Sequence, residues 1–452
     1  MGGSMARKES RAPNGHPAEL KKEGAGLDLP IAVGIIAANG QLASADVKAA
    51  MIGELSLDGK IRGVNGILPI LISAREKGVG EMIIPEENSE EGSFIDGITV
   101  RAAEDLKSVC DYLEGKSDLK IVEKKEYAQV YRTAEYDNDL KYVKGQFVAR
   151  RALEVAVSGN HNIILEGPPG AGKTMLAKCI PSIMPDMSFR EALETTKIHS
   201  VAGKMKDTEG IVYRRPFMSP HHTASRVSII GGGQSAKPGV VSLAHNGVLF
   251  LDEMPEYPRS VLESLRQPLE DRVITVTRVK ANLEYPASFM LAGSMNPCPC
   301  GYYGSKDREC TCSPAQIKKY REKISGPLLD RMDIRINVDN VKYDELTDKT
   351  EAESSAEVRK RVNRTRALQR ERFKDDGISS NAEMSEKHLN KYCVLSRECE
   401  EILKYAFESL KMSARARSRI IKVARTIADM DLSENIEPKH LLEAISYRGD
   451  GL

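Results

Sequence analysis

The chain has 452 residues, enough for about two to four domains at roughly 100–200 residues each. Hydrophobic residues make up 41% and charged residues 29%, a balance that excludes a membrane protein and a chain disordered along its whole length. Because 66 lysines and arginines are matched by 65 acidic residues, nucleic-acid binding would require local basic patches. No stretch approaches the roughly 18 apolar residues of a spanning helix, and the N-terminal sequence lacks the apolar segment of a secretion signal. We therefore expect a cytoplasmic protein without a membrane partner.

In chain order, composition and periodicity predict five segments. Residues 1–25 are a flexible lead, and residues 26–115 alternate short apolar runs with helical patterns, as in a small α/β domain. The charged segment 116–141 is predicted to be a linker. A second α/β domain spans 142–337, and residues 338–452 are helical. The clearest helix is Ala414–Met430, in which apolar residues recur at helical spacing.

Residues 167–174 read GPPGAGKT, which matches the phosphate-binding motif GxxxxGK[ST]. An apolar run precedes the match and a helical segment follows it, as the motif requires; the alternative is a glycine-rich turn that matches by chance. Lys173 is predicted to reach the β- and γ-phosphate oxygens of ATP, and the Thr174 hydroxyl to bind Mg²⁺. The loop predicted to surround the phosphates consists of Gly167, Pro168, Pro169, Gly170, Ala171 and Gly172. Its glycines and Ala171 supply the backbone N–H groups, because proline carries none.

Two further apolar runs end in polar residues. The run before Asp252 and Glu253 is typical of a central parallel strand, and ligand sites lie at the carboxyl ends of such strands. Asp252 is therefore predicted to hold Mg²⁺ through water, and Glu253 to polarise the attacking water, although two acids after a strand can also begin a helix. The other run ends at Asn296, whose side-chain amide is predicted to orient that water. The alternative is an asparagine that only forms a turn.

These strings, with LLDRMD at 328–333 and SAR at 413–415, resemble the AAA+ ATPases of the magnesium-chelatase-like branch. Within that branch, PFMSPHHTASRVSIIGGG, KPGVVSLAHNG and MNPCPCG are similar to the bacterial YifB/ComM family. The resemblance implies an α/β fold with a P-loop AAA+ domain and a helical lid. It also implies a homohexameric ring with ATP at subunit interfaces and, for the ComM members, a DNA helicase that drives branch migration during DNA uptake.

By the same resemblance, Arg331 matches the arginine finger that reaches the γ-phosphate bound by a neighbouring subunit. Arg415 matches the second nucleotide sensor at the start of a lid helix. For each arginine the alternative is a surface ion pair, and Arg417 and Arg419 are close enough to leave the second assignment open.

Four of the eight cysteines are crowded together as two CxC pairs, Cys298 with Cys300 and Cys310 with Cys312. Four thiolates at this spacing can converge on a structural Zn²⁺, although structural sites usually have two residues between paired cysteines, and free thiols are the alternative. A metal here would brace the loop behind Asn296. The adjacent residues His221 and His222 are predicted to form hydrogen bonds rather than bind metal, because neighbours on an extended segment point to opposite sides.

Residues 273–289 are predicted to form a β-hairpin whose tip carries Arg278 and Lys280 on one face. This hairpin resembles the pore-facing hairpin of related helicases, so both cations are predicted to contact DNA phosphates; a solvated hairpin is the alternative. The basic helical segment 359–372 is a second candidate for nucleic-acid contact.

Residues 22–113 are similar to the proteolytic domain of Lon, in a shortened form. The similarity aligns Gly26 with the nucleophilic serine and Leu68 with the lysine base. Neither residue can perform that chemistry, so an inactive Lon-like domain is predicted.

Together these features favour an ATP-driven ring motor that acts on DNA and uses ATP, Mg²⁺ and a structural Zn²⁺. One alternative is a magnesium-chelatase-type motor subunit, which the Lon-like domain and the cysteine cluster disfavour. The other is an interaction scaffold without motor activity, which the intact set of ATPase residues disfavours.

Overall fold

The computed structural model divides the chain into two compact units, Met1–Lys124 and Lys125–Leu452. It describes residues 25–42, 49–131, 136–205, 208–233, 236–277, 282–305, 308–341, 343–347, 352–410 and 412–448. Most of the predicted lead, residues 1–24, lies outside the described part. Among the described residues, no helix combines the length and the apolar character that a membrane crossing requires.

The first unit is a small α/β fold. Its strands are β1 (Ala50–Met51), β2 (Glu54–Leu55), β3 (Ile61–Arg62), β4 (Glu81–Pro85), β5 (Thr99–Ala103) and β6 (Lys120–Ile121). Its helices are α1 (Asp28–Ala38), α2 (Ile67–Glu76), α3 (Ser89–Gly92) and α4 (Leu106–Leu113). The sheet order is β1-β4-β5-β6, with β6 antiparallel to β5 and the other pairs parallel, while β2 and β3 form a separate hairpin.

The core of this unit combines Leu29 and Val33 of α1 with Ile83 of β4 and Val109 of α4. Leu68, which the Lon similarity aligns with the catalytic lysine, is fully buried in α2. Leucine carries no base whether it is buried or exposed, so the inactive Lon-like domain stays a prediction from the sequence.

The second unit contains β7 to β15 and α5 to α21. Its strands are β7 (Ile163–Glu166), β8 (Phe217–Met218), β9 (Gly231–Gly232), β10 (Lys237–Pro238), β11 (Val248–Leu251), β12 (Val273–Thr277), β13 (Asn282–Pro286), β14 (Met290–Met295) and β15 (Ile334–Asn337). Its first helices are α5 (Tyr127–Tyr131), α6 (Phe147–Gly159), α7 (Lys173–Lys178), α8 (Ile180–Ile183), α9 (Phe189–Val201), α10 (Arg226–Ile230), α11 (Val240–Leu243), α12 (Arg259–Ser264) and α13 (Arg266–Asp271). The later helices are α14 (Pro314–Arg321), α15 (Gly326–Leu329), α16 (Tyr343–Thr347), α17 (Ser355–Arg372), α18 (Glu386–Tyr392), α19 (Arg397–Ser409), α20 (Ala414–Met430) and α21 (Pro438–Ser446).

The central sheet of this unit has five parallel strands in the order β15-β7-β14-β11-β8. It is buried on both faces, which explains why β7 and β11 are continuous apolar runs. Ile163 and Leu165 of β7 pack on one face, whereas Ile164 packs on the other. The fold class predicted from the sequence, a P-loop α/β domain followed by a helical region, is confirmed.

The C-terminal helices share the core of the sheet. Val362 of α17 and Ile427 of α20 belong to the same buried cluster as Val155 of α6 and Ile163 of β7. The lid helix α20 has the predicted bounds, and the hydroxyl of Ser413 caps it by accepting the N–H of Ala416. The helical region is therefore packed on the sheet and has no separate core of its own among the described residues.

Two sequence predictions can be compared with this architecture. The predicted hairpin is confirmed, since β12 pairs with β13 in antiparallel register, but its tip, with Arg278 and Lys280, lies outside the described residues. The segment 116–141 contains β6 and α5, elements that its charged composition did not predict. The domain boundaries themselves remain predictions.

Candidate active site

The phosphate-binding loop connects β7 to α7 at the carboxyl edge of the central sheet. Gly170 and Gly172 have φ angles of +84° and +85°, in the left-handed region where glycine carries no steric cost. A Cβ atom on Gly167 would lie 2.1 Å from the carbonyl oxygen of Val338. These three positions therefore require glycine for the loop to take its observed curvature.

Lys173 is buried at the start of α7, and its ammonium group binds back onto the loop. Its Nζ donates to the carbonyl oxygens of Gly167 and Pro168, at 2.7 and 2.8 Å, and to Oδ1 of Asn296 at 3.2 Å. Burial lowers the pKa of Lys173, against the opposing effect of the nearby acids. The structure thus brings together the lysine and the strand-end amide that the sequence placed 123 residues apart.

Thr174 and Asp252 form the second pair that the sequence predicts. The Thr174 hydroxyl donates to Oδ2 of Asp252 at 2.9 Å, and the hydroxyl of Ser294 donates to the other carboxylate oxygen. Hydroxyl and carboxylate oxygens are the ligands that Mg²⁺ prefers, so this donor set fits the ion. Ser294 was not predicted; the only signal for it is a small polar residue inside the apolar run of β14.

Glu253 follows Asp252 in a left-handed backbone conformation with φ of +51°, which is uncommon for a residue other than glycine. Its N–H donates to the Ser294 hydroxyl at 3.0 Å. The side chain is 57% exposed, and one carboxylate oxygen lies 3.9 Å from Nδ1 of His222. The backbone of Glu253 is therefore held in place while its carboxylate faces the open side of the site.

A cavity of about 400 Å³ adjoins the phosphate-binding loop. Its lining includes Tyr142, Val143, Gln146, Met175, Leu176 and Val341. The Gln146 side chain donates to the carbonyl oxygens of Ala171 at 3.3 Å and Asp339 at 2.5 Å, which ties the segment before α6 to the loop. Mostly apolar walls beside a phosphate site suit a purine ring. No sequence motif marks these residues, because they meet only through the fold.

Arg331 lies at the opposite edge of the sheet from the phosphate-binding loop. It precedes β15, and the backbone N–H groups of Asp333 and Ile334 donate to the carbonyl oxygen of Asn162, the residue before β7. Because β7 and β15 run parallel, this is the amino edge. Four strand residues at about 3.3 Å each separate the two edges by roughly 13 Å.

A polar cavity of about 220 Å³ opens at this amino edge. Its charged lining comprises Arg272, Arg331, Arg415, Arg419 and Lys422, with Glu270 and Asp333. Arg331 pairs with Glu270, and its buried Nε has no hydrogen-bond partner among the described residues. Burial and then the neighbouring arginines lower the pKa of Arg331. A cationic cavity with an unused buried N–H donor is suited to an anion.

The four clustered cysteines have the geometry of a metal site. Their sulfur atoms all lie within 4.8 Å of one another, with Cys298 and Cys300 at 3.7 and 3.6 Å from Cys310. Four ligands at about 2.3 Å from a tetrahedral Zn²⁺ would place the sulfurs about 3.8 Å apart, so the donor set fits zinc. Backbone hydrogen bonds from Tyr302 and Thr311 lower the pKa of Cys300, whereas burial and hydrogen bonds with the neighbouring thiols raise the pKa of Cys310 and Cys312.

The cysteine loop packs against the phosphate-binding loop. Gly301, between the two cysteine pairs, has φ of +87°, and a Cβ there would lie 2.6 Å from Cδ of Pro169. At the end of α14, which follows the cysteines, Arg321 forms an ion pair of 3.1 Å with Glu166, the last residue of β7. The cysteine loop therefore packs directly on the phosphate-binding loop, and the helix after it is ion-paired to the strand that precedes that loop.

The structure corrects the predicted orientation of the two adjacent histidines, His221 and His222. The rings of His221 and His222 lie side by side, with centroids 4.1 Å apart, because the chain turns after β8 and is not extended there; the expectation of opposite sides was wrong. The predicted hydrogen bonding is confirmed for His221, whose Nδ1 lies 2.9 Å from the Thr223 hydroxyl.

The basic segment 359–372 falls in α17 and does not present a continuous basic face. Arg361 pairs with Glu154, and Arg372 pairs with Asp429. Arg366 is buried, which lowers its pKa to about 10. These contacts hold the helix onto the rest of the unit and leave it a weaker candidate for nucleic-acid contact.

The parallel sheet and the phosphate-binding loop at its carboxyl edge define a P-loop nucleotide-binding protein. The family model described as "Magnesium chelatase, subunit ChlI" matches residues 139–346, and the model of its C-terminal part matches residues 352–448. A third model, "Subunit ChlI of Mg-chelatase", matches residues 13–88. The chain is 40% identical to competence protein ComM of Haemophilus influenzae, with 96% of this chain and 84% of that protein covered. It is 41% identical to the uncharacterized protein YifB of Salmonella typhimurium, with 96% and 83% covered.

The chain therefore belongs to the YifB/ComM family of magnesium-chelatase-like AAA+ ATPases. Membership implies ATP hydrolysis with Mg²⁺, and proteins of this kind typically form oligomeric rings. A shorter match, 31% identical over 21% of this chain and 17% of the relative, is to Lon protease 2 of Bacillus subtilis. This match is a weak sign of the Lon-like homology of the N-terminal unit.

Proposed function

We propose that the protein is a ring-forming DNA motor, a helicase or translocase of the branch-migration type, whose ATP sites are each shared by two subunits. The observation that carries this proposal is the separation of two charged sites on one sheet. The phosphate-binding loop lies at the carboxyl edge, and the cationic cavity with Arg331 lies at the amino edge.

One subunit would supply the nucleotide-binding half of the site. The loop 167–172 and Lys173 would hold the phosphates, while Thr174 and Asp252 would hold Mg²⁺, which supplies charge neutralisation of the phosphates when bound. Glu253 would polarise the attacking water and Asn296 would orient it. The cavity beside Gln146 would take the adenine.

The neighbouring subunit would supply the other half. Arg331 and Arg415 line the same cavity at the amino edge, whereas the phosphate-binding loop lies at the carboxyl edge, and we therefore assign both arginines to the nucleotide of the neighbouring subunit. In a ring, the amino-edge cavity of one copy would face the phosphates held by the next. A homohexamer is the ring size that the family resemblance implies.

DNA is the proposed substrate on two grounds: the relative named as a competence protein, and the β12–β13 hairpin, which resembles the pore hairpin of helicases. If Arg278 and Lys280 contact DNA phosphates, replacing both with Ala should weaken DNA binding equally for all sequences. Each lost contact should lower the log–log salt slope by about 0.7–0.9. DNA should stimulate ATP hydrolysis by the wild-type protein but not by this variant, whose basal hydrolysis should remain.

Titration of labelled DNA at several salt concentrations, alongside steady-state ATPase assays, provides the measurement. Lys318→Ala/Lys319→Ala, which removes two cations from the unrelated helix α14, is the matched control and should leave the salt slope unchanged. An unchanged affinity and slope in the hairpin variant would contradict the pore assignment, and a wild-type ATPase indifferent to DNA would contradict the DNA motor.

The cysteine cluster is proposed to hold one structural Zn²⁺ per chain. We expect elemental analysis of protein purified without chelators to find zinc, and Cys310→Ser/Cys312→Ser to lose it. Because the cysteine loop packs on Pro169, the zinc-free variant should also bind ATP several-fold more weakly. Cys110→Ser, in the first unit, should retain both. Absence of zinc from the wild-type protein would refute the site.

A further inference from the structure

A second, smaller cavity lies between helix α17 and the amino edge of the central sheet. Its volume is about 40 Å³, which is room for about three water molecules. Its lining includes Arg366 of α17, Arg215 two residues before β8, Glu191 of α9 and Asn246, which precedes β11. It shares no charged residue with the cationic cavity around Arg331. Because Arg215 and Arg366 are only 7% and 6% exposed, two buried guanidinium groups border this space.

One of the two guanidinium groups, that of Arg215, is neutralised by a carboxylate. It forms an ion pair of 3.1 Å with Glu191, and it donates to the carbonyl oxygens of Pro185 and Asn246 at 2.7 and 2.8 Å. Against the effect of burial, Arg215 and the hydrogen bonds from Ser188 lower the pKa of Glu191, so this carboxylate stays ionised at neutral pH. The charges of Arg215 and Glu191 therefore cancel each other.

The other guanidinium group, that of Arg366, has no such partner. Among the described residues it forms no ion pair, and its hydrogen bonding is limited to a long contact of 3.4 Å from Nη1 to Oε1 of Gln369. Its buried Nε has no hydrogen-bond partner in the described part of the chain. Glu383 is near enough to affect the pKa of Arg366, but it is already held in an ion pair of 3.0 Å with Arg272. An uncompensated positive charge and an unused N–H donor therefore remain beside the cavity, a costly arrangement unless an anion is bound.

We propose that Arg366 binds a small monovalent inorganic anion, such as chloride, in the cavity that it shares with Arg215. One unpaired positive charge is balanced by one negative charge, whereas a phosphate dianion would leave a surplus negative charge beside Glu191. The volume of the cavity also suits an ion close to water in size. Because Arg366 belongs to α17 and Arg215 to the chain that enters β8, the bound anion stabilises the packing of this helix on the sheet. The proposal concerns stability and does not rest on the proposed function.

The first test is thermal unfolding of the full chain while chloride replaces gluconate at a constant sodium concentration. Arg366→Met keeps an unbranched side chain but carries no charge, so it should bind no anion. Because a ligand of the folded chain raises the unfolding midpoint, we expect chloride to raise the wild-type midpoint by about 2 °C more than that of Arg366→Met. General salt effects act on both proteins and cancel in this difference. Arg370→Met, one turn further along α17 and exposed, is the matched control and should respond to chloride as the wild type does.

The second test needs no variant and therefore decides the matter even if Arg366→Met does not fold. Bromide resembles chloride chemically and scatters X-rays anomalously, so crystals of the wild-type protein grown in sodium bromide should show an anomalous peak in contact with the Arg366 guanidinium. A cavity that holds only water in these crystals would overturn the proposal. The same conclusion would follow from equal chloride responses of the wild type and Arg366→Met, or from an equal loss of the response in Arg370→Met.

Discussion

Glu253→Gln is expected to lower ATP hydrolysis by about 10²–10⁴-fold while ATP binding persists, because an amide fills the same space but cannot take up the proton of the attacking water. Lys173→Ala should instead lose nucleotide binding. The Lys173 ammonium spans the loop carbonyls and Asn296, at the position where phosphate oxygens would arrive, and alanine carries no charge there.

The two variants are compared by nucleotide-binding titration and by single-turnover hydrolysis. Glu256→Gln provides a matched control, since this acid lies three residues further along and pairs with Lys323 instead of facing the site. A Glu253→Gln variant that binds ATP no better than Lys173→Ala would refute the separation of roles.

Arg331→Ala is expected to reduce hydrolysis about 10³–10⁵-fold, with or without DNA, because an arginine finger stabilises the charge that develops in phosphoryl transfer. Its nucleotide-binding edge remains intact. Mixing it with Lys173→Ala should therefore restore activity, since some interfaces then combine an intact phosphate-binding loop with an intact finger. Each variant alone should remain inactive.

The same mixing experiment discriminates among the lid arginines. Arg415 lines the cavity with Arg331, so Arg415→Ala should also be rescued by Lys173→Ala. Arg417 is exposed and does not line the cavity, so Arg417→Ala should hydrolyse ATP normally. Failure of rescue in every mixture would contradict shared sites and favour a subunit that works alone.

The site residues that could be predicted from the sequence are those that directly follow an apolar strand. Continuous apolar runs predicted β7, β11 and β14, and the polar residues at their ends predicted which side chains meet, because parallel strands finish at one edge. The contacts of Lys173 with Asn296 and of Thr174 with Asp252 are the physical counterpart of that pattern.

The remainder depends on pairings between distant segments, which no local pattern encodes. Ser294 contributes one hydroxyl to a carboxylate on another strand. The arginines of α17 look like a basic surface in the sequence, but acids from α6 and α20 neutralise Arg361 and Arg372. The sequence predicts an extended segment at His221 and His222, but β8 ends at Met218 and the chain turns at His222.

The core shared by the sheet and the C-terminal helices limits where the proposed motor can move. Val362 and Ile427 fill the same interior as Ile163, so separating the lid from the sheet would open a dry interior to water. A close-packed interior has low compressibility and transmits strain. In the proposed ring, hydrolysis of each ATP would then change the angle between neighbouring subunits, while the sheet and the lid of each subunit move together.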